Sequence, residues 1–186
     1  MRVLAFDVGG TTIKGGLVDE KLKIQEKFIE DTPKREDTFI SLIEEIHDRF
    51  SDETHKVSLG MPGFVDNDNN IFKYGTNMKF SIDFKKLGFA KEKKIYLEND
   101  GNLAAYSEYL SHFKNDYKNL IMLTFGTGVG GGIIYNSEIF KGSGNAGEIG
   151  RILINEKSYL EDVISAKAWT KKCQELYEIN KETKLS

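Results

Sequence analysis

The spacing of apolar residues changes period several times along the chain. Val3 to Phe6, within residues 2–6, form a short β-prone run stopped by glycines, which predicts a buried strand. Ile13 to Val18 and Ile24 to Ile29 predict two more, joined by the polar turn Asp19-Glu20-Lys21, so the protein opens on a β-meander. From Glu36 to Phe50 the period lengthens. Phe39, Leu42, Ile43, Ile46 and Phe50 fall on one face of an amphipathic helix, after a break at Thr32-Pro33. Val57 to Gly60 and Ile95 to Leu97 predict short strands, with Asp66-Asn67-Asp68-Asn69-Asn70 as a polar turn between them. That turn has the Asp/Asn spacing of a calcium loop without its closing glutamate, and reads as a plain loop. Asn102 to Phe113 predict a helix with Leu103, Tyr106, Leu110 and Phe113 inward. Leu120 to Phe125 and Gly131 to Tyr135 predict strands. A final helix runs from about Leu160 to Tyr177, using Leu160, Val163, Ile164, Cys173 and Leu176. The order strand, glycine turn, strand, strand, helix thus occurs twice, near residue 7 and near residue 126, which predicts two similar lobes facing a cleft.

Composition narrows the function classes. A chain of 186 residues suits one large domain or two small lobes. The formal net charge is −3 and the basic residues are scattered among acids, which argues against an electrostatic grip on nucleic acid. No apolar stretch reaches membrane-spanning length, and the start is too soon interrupted by Asp7 for a signal peptide. The single cysteine, Cys173, excludes an internal disulfide framework and any multi-cysteine zinc site, so a reducing cytoplasm is the expected setting.

Candidate chemistry gathers at the two glycine turns. Gly126-Thr127-Gly128-Val129-Gly130-Gly131 satisfies G-x-G-x-x-G, yet a strand-like Gly132-Ile133-Ile134-Tyr135 follows instead of the helix that a dinucleotide site requires. No Lys-Ser/Thr closes it as a Walker loop. What remains is a tight strand-to-strand turn whose amides can form an anion-binding nest, against the plainer reading of a flexible hairpin. Asp7-Val8-Gly9-Gly10-Thr11-Thr12 has the same character: glycines permit positive φ and close approach, Thr11 and Thr12 offer hydroxyls, and Asp7 is suited to Mg²⁺, directly or through water. Lys14 reads equally as a phosphate partner or a solvated strand lysine. Asp100, at a strand-to-helix junction, suits a general base that accepts a hydroxyl proton during phosphoryl transfer. It equally suits a helix N-cap.

These motifs occur in a set order. Asp7-x-Gly9-Gly10-Thr11, Met61-Pro62-Gly63 followed by Asp66, Glu98-Asn99-Asp100 followed by Asn102, Gly126-Thr127-Gly128-x-Gly130-Gly131-Gly132 and Ala146-Gly147-Glu148-x-Gly150 closely resemble the ROK family of sugar kinases and related repressors, from Leu4 to about Glu161. The resemblance implies an α/β protein of the actin-like ATPase (ribonuclease H-like) fold, with mixed sheets flanked by helices in two lobes. The expected boundaries are 1–116 for the first lobe and 117–186 for the second. It implies ATP-dependent phosphorylation of a hexose or hexoside hydroxyl, most often O6. Asp7, Gly9, Gly10, Thr11, Thr12, Lys14, Gly126, Thr127 and Gly128 would face Mg-ATP, and Asp100 would be the base. Asn77, Asn99, Glu148, Arg151 and Glu161 would face the sugar.

Three departures bear on these expectations. Arg151 stands where most members have histidine, and a guanidinium only donates hydrogen bonds, which changes the sugar contact there. The family's cysteine-rich zinc segment is absent between Arg151 and Glu161, so no zinc is expected. Family members are much longer, so the second lobe is expected to be C-terminally truncated, with a homodimer as one way to cover it. The competing expectation is a non-catalytic sugar-binding or degenerate ROK fragment. A DNA-binding repressor is disfavoured, because the first glycine motif starts at Asp7 with no helix-turn-helix before it.

Overall fold

The computed structural model describes residues 1–75, 77–144 and 146–179. The chain divides into two compact units, Met1–Leu103 and Ala104–Ser186. The second lobe's expected end at Ser186 lies outside the described residues.

The first unit is built on the expected meander. β1 (Val3–Val8), β2 (Thr12–Val18) and β3 (Ile24–Asp31) pair antiparallel, and helix α1 (Glu36–Arg49) follows. β4 (Lys56–Met61) then pairs parallel to the other edge of β1. Strand alternation sends Leu4, Phe6 and Val8 to one face, where they join Val57, Leu59 and Met61 and the α1 residues Phe39, Ile43 and Ile46 in one core. The Phe6 and Phe28 rings, 5.3 Å apart, extend it across the meander.

The next segment departs from a plain loop. A small antiparallel sheet forms from β5 (Phe64–Asp66), β6 (Ile71–Tyr74) and β7 (Ile82–Asp83), and Asp66–Asn70 forms the turn between β5 and β6. Phe72, Met78, Ile82 and Phe84 are buried there. Strands of two to four residues are too short to establish a period, which is why the pattern hid them. β8 (Lys94–Asn99) completes the main sheet, parallel to β4, in the order β3-β2-β1-β4-β8.

Helix α2 (Asp100–Glu108) runs into a π-helical turn, Tyr109–Phe113, so the helix has the expected extent. Its buried face is different: Asn102, Ala105 and Tyr109 are covered, whereas Leu110 and Phe113 are 39% and 36% exposed. A polar and a small residue conceal the covered stripe. The π turn, where the Lys114 N–H reaches the Tyr109 carbonyl at 2.9 Å, also shifts later positions off the 3.6 period.

In the second unit β9 (Leu120–Phe125), β10 (Val129–Tyr135) and β11 (Glu138–Ile139) form an antiparallel sheet, ordered β11-β10-β9. A hairpin, β12 (Leu153–Asn155) and β13 (Ser158–Tyr159), intervenes before the helices. The expected single final helix is two, α3 (Glu161–Ile164) and α4 (Ala166–Ile179), broken at Ser165. The Ser165 hydroxyl accepts the Ala168 N–H at 3.1 Å, an N-cap that starts the second helix afresh. Val163, Cys173 and Leu176, expected inward, are exposed. No described helix is long and apolar enough to cross a membrane.

Candidate active site

In the first unit, three parallel strands bring the predicted residues to one edge of the sheet. Strand register sets Asp7 beside Gly60 and Gly60 beside Glu98, while Met61 lies beside Asn99. The Asp7 turn, Met61-Pro62-Gly63 and Glu98-Asn99-Asp100 therefore all leave the carboxyl ends of β1, β4 and β8, where open α/β sheets bind ligands. Gly60 permits this closeness. A Cβ there would stand 3.1 Å from Leu103 Cδ1 and 3.9 Å from the Asp100 Cα, so its absence lets the start of α2 settle on the sheet.

Which residue caps α2 is decided by its neighbours. Asn99 Oδ1 accepts the Asn102 N–H at 3.0 Å, and Asn99 Nδ2 donates to the Gly63 carbonyl at 3.1 Å. Asn99 is the N-cap; Asp100 is the first helical residue, half-buried, its Oδ1 accepting the Gly101 N–H at 2.9 Å. The cap reading of Asp100 therefore gives way. Behind both lies Glu98, which stands in the motif Glu98-Asn99-Asp100 but was given no role. Its Oε1 accepts the Asn99 N–H at 2.9 Å and Asn102 Nδ2 at 3.1 Å, and its Oε2 accepts Asn67 Nδ2 at 3.0 Å. One carboxylate thus ties the β5–β6 turn to the start of α2. Its place beside Asp100, on the sheet face opposite Leu97, was the available signal.

The first glycine turn is held through its carbonyls. Thr32 Oγ1 donates to Gly9 O at 2.8 Å, the Thr32 N–H donates to Thr11 O at 2.9 Å, and Lys34 Nζ donates to Gly10 O. The Gly9 N–H closes on Thr12 O at 2.9 Å. Asn77 also belongs here, because a Cβ on Gly10 would overlap its side-chain amide. Asp7 and Lys14 are exposed cross-strand neighbours on β1 and β2. Lys34 is the cation at the turn itself, and only its position just after Thr32-Pro33 hinted at it.

In the second unit the corresponding turn is gripped by the chain that follows β13. The Gly126 N–H donates to Gly128 O at 3.0 Å, and the Ala166 N–H donates to Gly126 O at 2.9 Å. Thr127, at the tip, is exposed. Glu161 Oε2 accepts the Val129 N–H at 3.3 Å, and Glu161 Oε1 lies 3.2 Å from Arg151 Nη1. The Arg151 guanidinium also stands 5.7 Å from the centre of the Tyr159 ring. Glu148 joins this group half-buried. Burial pushes its carboxyl above the usual range, Arg151 opposes that shift, and Glu161 adds to it. Of the two roles expected of these glycines, positive φ is not used: Gly9, Gly10, Gly126 and Gly128 all have ordinary φ, and the positive-φ glycines among the described residues are Gly63, Gly142 and Gly144. Gly9, Gly10 and Gly128 provide close approach, whereas a Cβ on Gly126 would meet open space. Among the described residues no group of three or more His, Cys, Asp and Glu side chains is placed to hold a metal.

The family model of the ROK family matches residues 3–178. This chain belongs to the ROK family. Among its relatives, the N-acetyl-D-glucosamine kinase of Mannheimia succiniciproducens is 33% identical over 159 residues, covering 81% of this chain and 52% of that protein. A putative sugar kinase from Cytophaga hutchinsonii superimposes with a TM-score of 0.83 at 26% identity, covering 96% of this chain and 63% of the other. A ROK family glucokinase from Streptomyces griseus, solved with glucose and AMPPNP, does so at 0.80 and 25% identity, covering 98% and 63%. The ROK fold is thus the actin-like α/β fold that the motifs implied. The chain spans about half the length of the curated relatives it matches.

Proposed function

We propose that this ROK chain phosphorylates a hexose or hexoside hydroxyl, at O6, using ATP, with Asp100 as the general base. The observation that carries the reading is the delivery of the Asp7 turn and Asp100 to one sheet edge, with Asn99 taking the capping role at the start of α2. Mg-ATP is the co-substrate. Gly10, Thr11 and Thr12 present backbone and hydroxyl donors to its phosphates, Lys34 and Lys14 each add positive charge, and Asp7 meets the magnesium that the nucleotide carries. Gly126, Thr127 and Gly128 supply the second phosphate turn. Asp100 takes the hydroxyl proton as the oxygen attacks the γ-phosphorus. Asn77, Asn99, Glu148, Arg151 and Glu161 read the sugar hydroxyls, whose absence in a deoxy analogue would leave these groups unpaired. Lobes at 1–116 and 117–186, no zinc, a cytoplasmic setting and pairing as a homodimer belong to the same reading.

A coupled assay with Mg-ATP and a panel of hexoses, aminosugars and β-glucosides tests it. Asp100→Asn is expected to abolish turnover and leave sugar affinity within about threefold; retained turnover removes Asp100 from the role of base. A second reading, a sugar-binding ROK protein without catalysis, is favoured by the Arg151 pairing with Glu161. It predicts thermal stabilisation by sugar and none by Mg-ATP.

A further inference from the structure

The turn Gly126-Thr127-Gly128 has an anion of the protein's own against it. Glu161 is the first residue of α3, and its side chain is 20% exposed. Its Oε2 accepts the Val129 N–H at 3.3 Å, and a Cβ on Gly128 would lie only 2.5 Å from that oxygen. The carboxylate therefore fills the space beside Gly128 and uses an amide at the mouth of the turn. Arg151 Nη1, 3.2 Å from Glu161 Oε1, counters its charge from the far side. The turn is otherwise fixed: the Ala166 N–H holds Gly126 O, and Gly150 is so close to the Val129 carbonyl that a Cβ on it would overlap.

We infer that Glu161 is a positioning residue that acts as a built-in competitor of phosphate at the second glycine turn, and that Arg151 tunes this competition by neutralising Glu161. The inference rests on the reading of this turn as a phosphate site. A phosphate oxygen and the Glu161 carboxylate seek the same Val129 N–H, and two anions in contact repel each other. Phosphate gains that amide when Glu161 swings away, for example to accept a hydroxyl from a bound sugar. The sugar-side acids and the phosphate turn are in this way one linked unit within residues 126–161, with Glu161 as the joint.

The test follows the backbone amides of Gly128 and Val129 by heteronuclear NMR while the full chain is titrated with magnesium tripolyphosphate. Glu161→Gln keeps the shape and removes the charge, and it is expected to tighten tripolyphosphate binding about tenfold. Arg151→Gln leaves the carboxylate uncompensated and is expected to weaken binding about threefold. Because Arg151 works through Glu161, that weakening should vanish when Arg151→Gln is made in the Glu161→Gln background. A loosened turn would instead shift both single variants the same way. Glu161→Asp, which draws the carboxylate back from Val129, should fall between wild type and Glu161→Gln, and it carries the test if Glu161→Gln does not fold. Equal affinity in wild type and both Glu161 variants overturns the competitor role while phosphate binding at the turn stands. Undiminished weakening by Arg151→Gln in the Glu161→Gln background also overturns the inference. No perturbation of these amides in any of the proteins overturns both.

Discussion

β1 and β9 are near-equivalents: each is a six-residue strand that runs into a glycine turn and folds back antiparallel on the next strand. Their surroundings differ sharply. Leu4, Phe6 and Val8, alternating along β1, are 0%, 3% and 0% exposed; Ile121, Leu123 and Phe125, at the matching positions before the second turn, are 67%, 38% and 59% exposed. β1 has β2 on one edge and β4 on the other, and its apolar face meets α1 in the main core. Among the described residues β9 pairs with β10 alone. A strand and its glycine turn are thus made by local sequence, whereas the burial of the strand's face depends on elements that arrive from elsewhere in a chain.

The sharpest way to break this comparison is a pair of truncations. Phe6→Ala is expected to cost about 3–5 kcal/mol, by the transfer and cavity terms of a packed core. Phe125→Ala should stay within about 0.5 kcal/mol, as for exposed positions. Urea denaturation of both variants checks it, and similar losses would show that the two faces are equally covered in solution. Next in size is the polar anchor of the first unit. Glu98→Ala leaves Asn67, Asn102 and the Asn99 N–H without their shared acceptor, and should cost about 2–3 kcal/mol by the same measurement. In the second unit, Ser165→Ala removes the cap that separates α4 from α3 and should cost about 1 kcal/mol, with loss of helical circular dichroism.

The smallest expected effect concerns pH. The Glu148 carboxyl is pushed up by burial, so its contribution to stability is fully present below the pKa of the unfolded chain and is lost as pH rises through its raised folded value. Glu148→Gln removes this dependence. Relative to wild type, the variant should therefore melt higher at pH 7 than it does at pH 4, in thermal scans at both values. An unchanged difference would place Glu148 in open solvent. In the first unit Asp19, Glu20, Asp37 and Asp66 shift the other way, held below their usual range by hydrogen bonds.

The legible parts of the fold were those with a sustained period. The opening meander and α1 follow from alternation and from the Phe39-Ile43-Ile46 stripe, because each exceeds the length at which a period stands out. β5, β6 and β7 were hidden by brevity, and the break at Ser165 by apolar residues that continued on both sides of it. The candidate site was legible as a set of residue types: the glycine turns, Asp100, and the ordered motifs that carry the family resemblance. The roles of Glu98 and Lys34 escaped because a glutamate on a strand and a lysine after a proline look like ordinary solvated charge until their partners are known.

What residue order alone determined about this ROK chain is local: where strands stop at glycine, where an amphipathic helix must find a core, and which side chains are chemically able to hold phosphate, sugar or a proton. Tertiary structure decided the choices that depend on distance across the chain. It made Asn99 and not Asp100 the helix cap, brought Asn77 to Gly10, and set Glu161 between Arg151 and the second glycine turn. The contacts of Asn99 with Gly63, of Asn77 with Gly10 and of Glu161 with Val129 join residues tens of positions apart. Local propensity cannot encode them, because each depends on strand register and on the space that a missing Cβ leaves open.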